Sequence, residues 1–295
     1  MSQIGTIAEQ LRTNMEDYTP SERKIVRVLL ANYPMTGLET IAQLAARAHV
    51  SGPSVLRLVA RLGFENYGSF QAALRDELEV RLQSPLSRHS SPLDNIDDND
   101  FLAHFVKNLH HLLQQTIAHI PRNEFDSVVE LLCDTRRPVW LVGGRLTRPL
   151  AEVFTNHLKS MRPNVHLMSA YSSSWPNALA DMSKGHTLVI FDIRRYSDET
   201  SHLADLAAQR KVNIVLFTDQ WHSPITRVAH HIFPAHLAHA SSWDANSPLM
   251  MLIDAVVFAM SRKNWDSARR RLEEIENIRT TLSIRAQNIS KYSAS

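Results

Sequence analysis

A single cysteine, Cys133, in 295 residues leaves no partner for an intramolecular disulfide and fits a chain kept in a reducing compartment. It sits in an apolar helical stretch, where it reads as a small core hydrophobe rather than a nucleophile. Excess charge of one sign is lacking too. The 32 lysines and arginines against 30 aspartates and glutamates give +2 with histidine neutral, so affinity for a polyanion has to come from local clustering. No apolar run approaches the roughly 20 residues needed to cross a bilayer, and the first residues lack the basic-then-apolar plan of a secretory signal. A cytoplasmic protein is expected. With 44% apolar and 21% charged residues, the chain has the composition of an ordinary soluble protein and is long enough for two domains, each with its own core.

One local absence organises the rest: no acid lies between Ile41 and Phe64, whereas Arg47, Arg57 and Arg61 do. Thr40 is a good N-cap, and Ile41, Leu44 and Ala45 recur at helical spacing to about Ala48. His49 and Val50 make a tight turn. Ser51 then caps a second helix with Gly52 and Pro53 in its first turn, where the missing proline N–H costs nothing. Val55, Leu56, Val59 and Leu62 are its expected buried stripe, leaving Ser54, Arg57, Ala60 and Arg61 exposed, with Ser51 and Pro53 at the tip. Two short helices so joined form a helix-turn-helix, whose second helix enters the DNA major groove N-terminus first. An ordinary helical hairpin with a solvated basic face has the same pattern.

Around this pair, residues 4–17 read as an opening helix with Ile7 and Leu11 on its apolar side. Residues 21–32 read as a second helix, capped by Thr19 and Ser21, with Ile25, Val26, Leu29 and Leu30 as a floor. Asn66, Tyr67, Gly68 and Ser69 open a last helix to about Gln83 with Phe70, Leu74, Leu78 and Leu82 at core spacing. Asn66, Tyr67 and Ser69 suit phosphate contacts or, equally, capping and packing. The segments TPSERKIVRVLL and TIAQLAARAHVSGPSVLRLVARLGFENYGSFQ resemble the N-terminal domain of the RpiR/MurR family of bacterial transcription regulators, in order over about the first 80 residues. The DNA contacts expected from the exposed face and tip of the second helix are Ser51, Pro53, Ser54, Arg57 and Arg61, with Tyr67 beside the groove. Gly52 and Pro53 replace the usual helix formers at the tip, and Ser54 stands where threonine is usual, so the operator does not carry over from relatives.

Between residues 83 and 100 proline, serine and clustered aspartates replace apolar periodicity, which reads as a linker. A calcium loop is excluded by the missing glycine and terminal glutamate. Thereafter apolar runs alternate with helical patterns: strands near 139–142, 165–167, 187–191 and 212–217, and a possible edge strand at 232–234. Helices are expected at 101–120, 123–134, 149–161, 175–182 and 198–209, with closing helices at 247–262 and 266–290. The fold class is therefore an all-α helix-turn-helix domain, residues 1–82, and an α/β domain, residues 101–295, with a mainly parallel sheet flanked by helices.

Ligands of such sheets bind beyond the carboxyl ends of the strands. Three strand ends, at residues 143–148, 192–200 and 218–224, resemble in order the sugar isomerase (SIS) domain that follows the helix-turn-helix in the same family. Residues 101–263 carry the likeness, which implies phosphosugar binding by hydroxyls and helix N-terminal amides. Here Arg145 and Leu146 occupy serine positions of the first loop, Arg195 replaces a serine of the second, and Asp198 a glycine. Ser197 and Thr200 match. The expected site is Gly144, Arg145, Thr147, Arg194, Arg195, Ser197 and Thr200, with the arginines offsetting the charge of Asp198. The plainer alternative has Ser197 as a cap, Asp198 and Glu199 as first-turn acids, and Arg194 and Arg195 paired across a subunit contact. Trp221 and Tyr196 suit stacking on a ligand or loop packing.

Fifteen histidines, among them His230, His231, His236 and His239, lack the cysteine partners or helical spacing of a metal site and read as surface and packing residues. No cofactor, metal or catalytic residue is expected. The sequence thus describes a regulator sensing a small anionic metabolite, a sugar phosphate or organic acid, as a homodimer or higher homo-oligomer on a pseudo-palindromic double-stranded operator, with no membrane partner. The helices at 247–262 and 266–290 are the expected dimer surface. The rival is a sugar-phosphate isomerase with an accessory N-terminal domain, for which Asp192, Glu199 and His222 are candidate bases without a spacing that selects one. A nonspecific DNA-organising protein is weakened by the near-neutral charge.

Overall fold

The computed structural model describes residues 6–13, 15–82, 100–238 and 243–292. The expected linker at 83–99 and His239 lie outside them. Helices α1 (Ile7–Thr13), α2 (Pro20–Ala31), α3 (Ile41–Ala48), α4 (Gly52–Arg61) and α5 (Tyr67–Leu82) form the N-terminal part. Thr19 and Thr40 each close a capping box, with Glu22 and Gln43 returning the bond. Between α3 and α4, His49 takes a left-handed conformation with φ of 51° and its amide closes on Ala45 and Ala46, which turns the chain sharply enough to pack the two helices. The opening helix, Ile7–Thr13, is shorter than its apolar pattern suggested, with Ile7, Ala8 and Leu11 buried.

That core joins Ile7, Leu11, Ile25, Val26, Leu29, Leu44, Val55, Leu58, Val59, Phe70 and Leu74. Helix α4 buries Ser54, Val55, Leu58 and Val59, while Leu56 is 44% exposed. The expected stripe was thus rotated: Leu58, one turn from Val55 and three residues from it, faces the floor and Leu56 faces outward.

The C-terminal part continues with α6 (Phe101–Ala118), α7 (Arg122–Cys133), β1 (Val139–Gly143), α8 (Arg148–Met161), β2 (Val165–Leu167), α9 (Trp175–Asp181), β3 (Thr187–Phe191), α10 (Asp198–Gln209), β4 (Asn213–Asp219), β5 (His231–Ala235), α11 (Ser247–Lys263) and α12 (Trp265–Tyr292). The sheet order is β2-β1-β3-β4-β5 and every pairing is parallel, β5 included. Both faces are covered, which explains the unbroken apolar strands. Val189, Phe191, Val215 and Phe217 pack under α7, α8 and α11, while Leu188, Ile190, Ile214 and Leu216 meet α9 and α10. Phe217 anchors the first layer, stacked on Phe191 at 4.7 Å and edge-on to Phe233 at 5.0 Å. Half-buried Cys133 joins this core, and burial pushes its thiol pKa up. Among the described residues no helix is long and apolar enough to cross a membrane.

Candidate functional site

The outward face of α4 begins with Ser51 and Pro53, both exposed. Ser51 holds the N-cap position without a capping bond; its Oγ lies 3.0 Å from Ser54 Oγ instead. Ser54, expected to be exposed, is only 6% so, and its hydroxyl accepts from Arg57 Nη2 at 2.8 Å. Ser54 therefore positions Arg57 and is too sunken to present itself. The three arginines of the acid-free stretch differ sharply. Arg47 pairs with Glu39 at 2.9 Å. Arg61 donates to Glu22 Oε2 at 3.2 Å and to the Asp17 carbonyl at 2.9 Å, and lies over the Tyr18 ring at 5.1 Å. Among the described residues Arg57 meets no carboxylate, so its charge is the one left uncompensated on this face.

Tyr67 follows the packing alternative. It is 8% exposed and its hydroxyl donates to the carbonyls of Gly37 and Glu39, at 3.1 and 2.9 Å. Burial, with the charge of Glu39 added, pushes its pKa up to about 12. Asn66 and Ser69 cap the start of α5 through each other, Ser69 N donating to Asn66 Oδ1 at 2.8 Å. Acids missing from residues 41–64 arrive from elsewhere in the fold, since Glu22 and Glu39 lie outside that window. Glu22 is mostly buried, which alone would raise its pKa, but hydrogen bonds from Thr19 and the charge of Arg61 bring it below the ordinary value.

At the other end of the chain, the loops after β1, β3 and β4 meet because those strands are neighbours. Gly143 is required there: a Cβ would stand 2.7 Å from the Thr147 carbonyl and 2.8 Å from the Arg148 amide. Thr147 is 2% exposed, its Oγ1 donating to the Phe191 carbonyl at 2.8 Å and accepting from Gly144 N at 2.9 Å. Ser197 caps α10 by accepting from Thr200 N at 3.3 Å, and Thr200 is buried behind it. Thr147 and Ser197 were expected to offer hydroxyls to a ligand. Thr147 uses its hydroxyl to hold the loops, and the Ser197 oxygen caps its helix.

Arg194 is equally committed. Its guanidinium forms a two-pronged pair with Asp244, just ahead of α11, and lies over Trp221 at 4.9 Å, leaving 6% of the side chain exposed. The pairing is within the chain, whereas a subunit contact was the sequence alternative. Arg145 and Arg195 are exposed, Arg195 with a left-handed backbone at φ of 63°.

Asp219, outside the expected set of site residues, is the residue that ties these loops into one body. Fully buried, it accepts from Arg194 N at 2.5 Å, the Tyr196 hydroxyl at 2.6 Å and Trp221 N at 3.0 Å. Its position in the TD-x-x-x-SP loop was the available signal; Asp244, 50 residues from its arginine, had none. Of the candidate bases, Asp192 accepts from Ser223 Oγ, Glu199 is an exposed first-turn acid of α10, and His222 is buried. Burial, then the charges of Arg12, His119 and His236, push the His222 pKa well below the ordinary histidine value. His230 accepts from Ile214 N at 3.1 Å and His231 contacts Glu124 at 3.2 Å, and no cluster of metal-ligating side chains occurs among the described residues.

A helix-turn-helix with Arg57 on its outer face, followed by a helix-flanked parallel sheet with Arg145 and Arg195 exposed at its edge, has the plan of a two-part regulator. A helix-turn-helix model of the rpiR family matches residues 5–81, and a SIS domain model matches residues 134–259. The chain belongs to the RpiR family of helix-turn-helix transcriptional regulators. An uncharacterized HTH-type transcriptional regulator of Haemophilus influenzae is 21% identical over 239 residues, 79% of this chain and 80% of that one. Among solved structures, the sugar isomerase domain of an RpiR transcription factor from Sphaerobacter thermophilus superposes with a TM-score of 0.57 at 20% identity, over 60% of this chain and 99% of that one. The Vibrio vulnificus NanR protein complexed with ManNAc-6P gives a TM-score of 0.53 at 18% identity, over 93% of this chain and 98% of that one. At such identities the likeness to these structures concerns the fold.

Proposed function

We propose that this regulator reads a pseudo-palindromic operator with α4 and senses a small anionic metabolite, a sugar phosphate or an organic acid, at the carboxyl edge of its sheet. The observation that carries the reading is Arg57, held by Ser54 on the exposed face of α4 and meeting no carboxylate among the described residues. Pro53 and Ser51 flank it, and exposed Leu56 supplies an apolar contact of the kind a thymine methyl accepts. Arg145 and Arg195 receive the anion, with Arg194 and Asp219 setting the loops behind them; the relative solved with ManNAc-6P supports a phosphorylated ligand. The division into residues 1–82, a linker at 83–100 and residues 101–295 belongs to this reading.

One recognition helix buries too little surface for useful specificity, so the active form is a homodimer with two α4 helices about 34 to 36 Å apart, or a multiple of that. Phe258 on α11 and Ile278 and Leu282 on α12, at 71%, 53% and 61% exposure, are the apolar residues such a contact covers. The protein acts in the cytoplasm and catalyses no step. Turnover of any pentose or hexose phosphate would overturn that last point.

The test is fluorescence anisotropy with DNA from just upstream of the protein's own coding region against scrambled DNA at near-physiological salt, with a panel of sugar phosphates and organic acids. The expected result is a preference of about a hundredfold or more that one panel member alters. Weak, equal binding that vanishes with added salt would refute the regulator reading, because contacts to phosphate alone behave that way.

A further inference from the structure

The two domains touch directly, and the contact falls on a loop that walls the proposed effector site. Thr6, just ahead of α1, donates its hydroxyl to the Gln220 carbonyl at 3.2 Å. The charge of Arg12 on α1 reaches buried His222, and α2 lies against the Pro224–Arg227 turn. Gln220 is held from its own side as well, its Oε1 accepting the Leu237 amide at 3.1 Å. Beside it, the Asp219 carboxylate grips Arg194 N, Tyr196 and Trp221 N. A ligand that shifts the loop after β3 therefore pulls on Asp219 and, through the next peptide bond, on Gln220.

Helix α1 is tied just as firmly to the DNA-reading half. Ile7 and Leu11 are 3% and 0% exposed in its core. The Ile7 amide donates to Glu77 Oε1 of α5 at 2.8 Å, and the other Glu77 oxygen accepts from Tyr33. One face of α1 thus belongs to the helix-turn-helix core while Thr6 at its N-terminal end meets the effector loop.

We infer that α1 is the coupling element between the two sites: its docking on the 219–224 loop is the two-state contact that effector and DNA both bias. The inference rests on the DNA and effector reading above. It places the signal in a direct domain contact and not in the linker alone. Coupling free energy is reciprocal, so DNA bound at α4 must change the loop even with no effector present. That consequence is measurable without knowing the effector.

The experiment is hydrogen exchange by mass spectrometry on the full-length chain, with and without saturating upstream DNA, for wild type, Thr6→Val and Thr6→Arg. The reporters are amides 219–225, several already bonded, such as Ser223 N to Thr218 Oγ1 at 3.0 Å and Ile225 N to Ser223 Oγ at 3.2 Å. In wild type, DNA should change their exchange about fivefold or more, the lower end of ordinary allosteric coupling. Thr6→Val, which deletes only the donor, should reduce that change. Thr6→Arg, which puts a long charged side chain where Thr6 meets the Gln220 carbonyl, should abolish it while anisotropy still reports DNA binding. An unchanged loop in DNA-bound wild type, or the same change in both variants as in wild type, overturns the coupling alone. A wild type without sequence preference overturns the regulator reading and the coupling together.

Discussion

Replacing Arg57 and, separately, Arg61 by alanine sets two exposed arginines of α4 against each other. Arg57 is held only by the Ser54 hydroxyl at 2.8 Å, so its truncation removes little from the folded protein. If it reads a base edge, the loss of binding should be about 1 to 3 kcal/mol, roughly 5- to 150-fold in Kd. Arg61 is different in kind. Its pair with Glu22 leaves the two side chains 41% and 11% exposed, and it also bonds the Asp17 carbonyl and lies over Tyr18. Solvent screening discounts the ion pair to well under its buried worth, and the aromatic contact adds about 0.5 to 1 kcal/mol, so Arg61→Ala should cost about 1 to 2 kcal/mol of stability. Anisotropy with upstream DNA measures the first quantity and urea unfolding of the same samples the second. The reasoning fails if Arg57→Ala binds DNA within a few tenths of a kcal/mol of wild type. It fails equally if Arg61→Ala weakens DNA binding more than Arg57→Ala without moving the urea midpoint.

Asp244→Ala strands the Arg194 guanidinium, 6% exposed, without its carboxylate, and should cost about 3 to 5 kcal/mol in the C-terminal domain's urea transition; a loss under about 1 kcal/mol would mean the arginine simply turns to solvent. Gly143→Ala forces a Cβ against the backbone of Thr147 and Arg148, and a cost of about 1 to 3 kcal/mol with weaker effector binding is expected; unchanged stability would show that the first loop is not tightly closed. His222 has a folded-state pKa pushed below its unfolded value, chiefly by burial, so the unfolded chain takes up the proton first as pH falls. Its contribution is intact above about pH 6.5 and is lost below it at up to about 1.4 kcal/mol per pH unit. His222→Asn, which tolerates the left-handed backbone at φ of 59°, should flatten the fall in Tm between pH 7 and 5.5; an unaltered slope would assign the effect to other groups.

The local level of this protein was legible in the sequence because its causes are local. Thr19 and Thr40 cap helices with partners three residues away, and the apolar runs of β3 and β4 are continuous because both faces are covered. The acid-free stretch and the order of the three strand-end loops pointed to a regulator with a SIS-like domain, and the family comparisons agree. The facing of α4 was harder, since Leu56 and Leu58 are chemically identical and only packing on the floor helices chooses between them.

What tertiary structure alone decided is which polar groups remain available. Sequence places Thr147, Ser197, Arg61, Arg194 and Tyr67 in the right loops and helices, but their partners come from far along the chain: Phe191 for Thr147, Glu22 for Arg61, Asp244 for Arg194 and Gly37 for Tyr67. A hydrogen bond or ion pair is settled by distance in space, and no residue spacing encodes that distance across separate elements. The sequence by itself determined the plan of a helix-turn-helix followed by a SIS-like domain. The fold determined that Arg57 meets no carboxylate among the described residues, that Asp219 joins the sheet-edge loops, and that Thr6, just ahead of α1, meets Gln220.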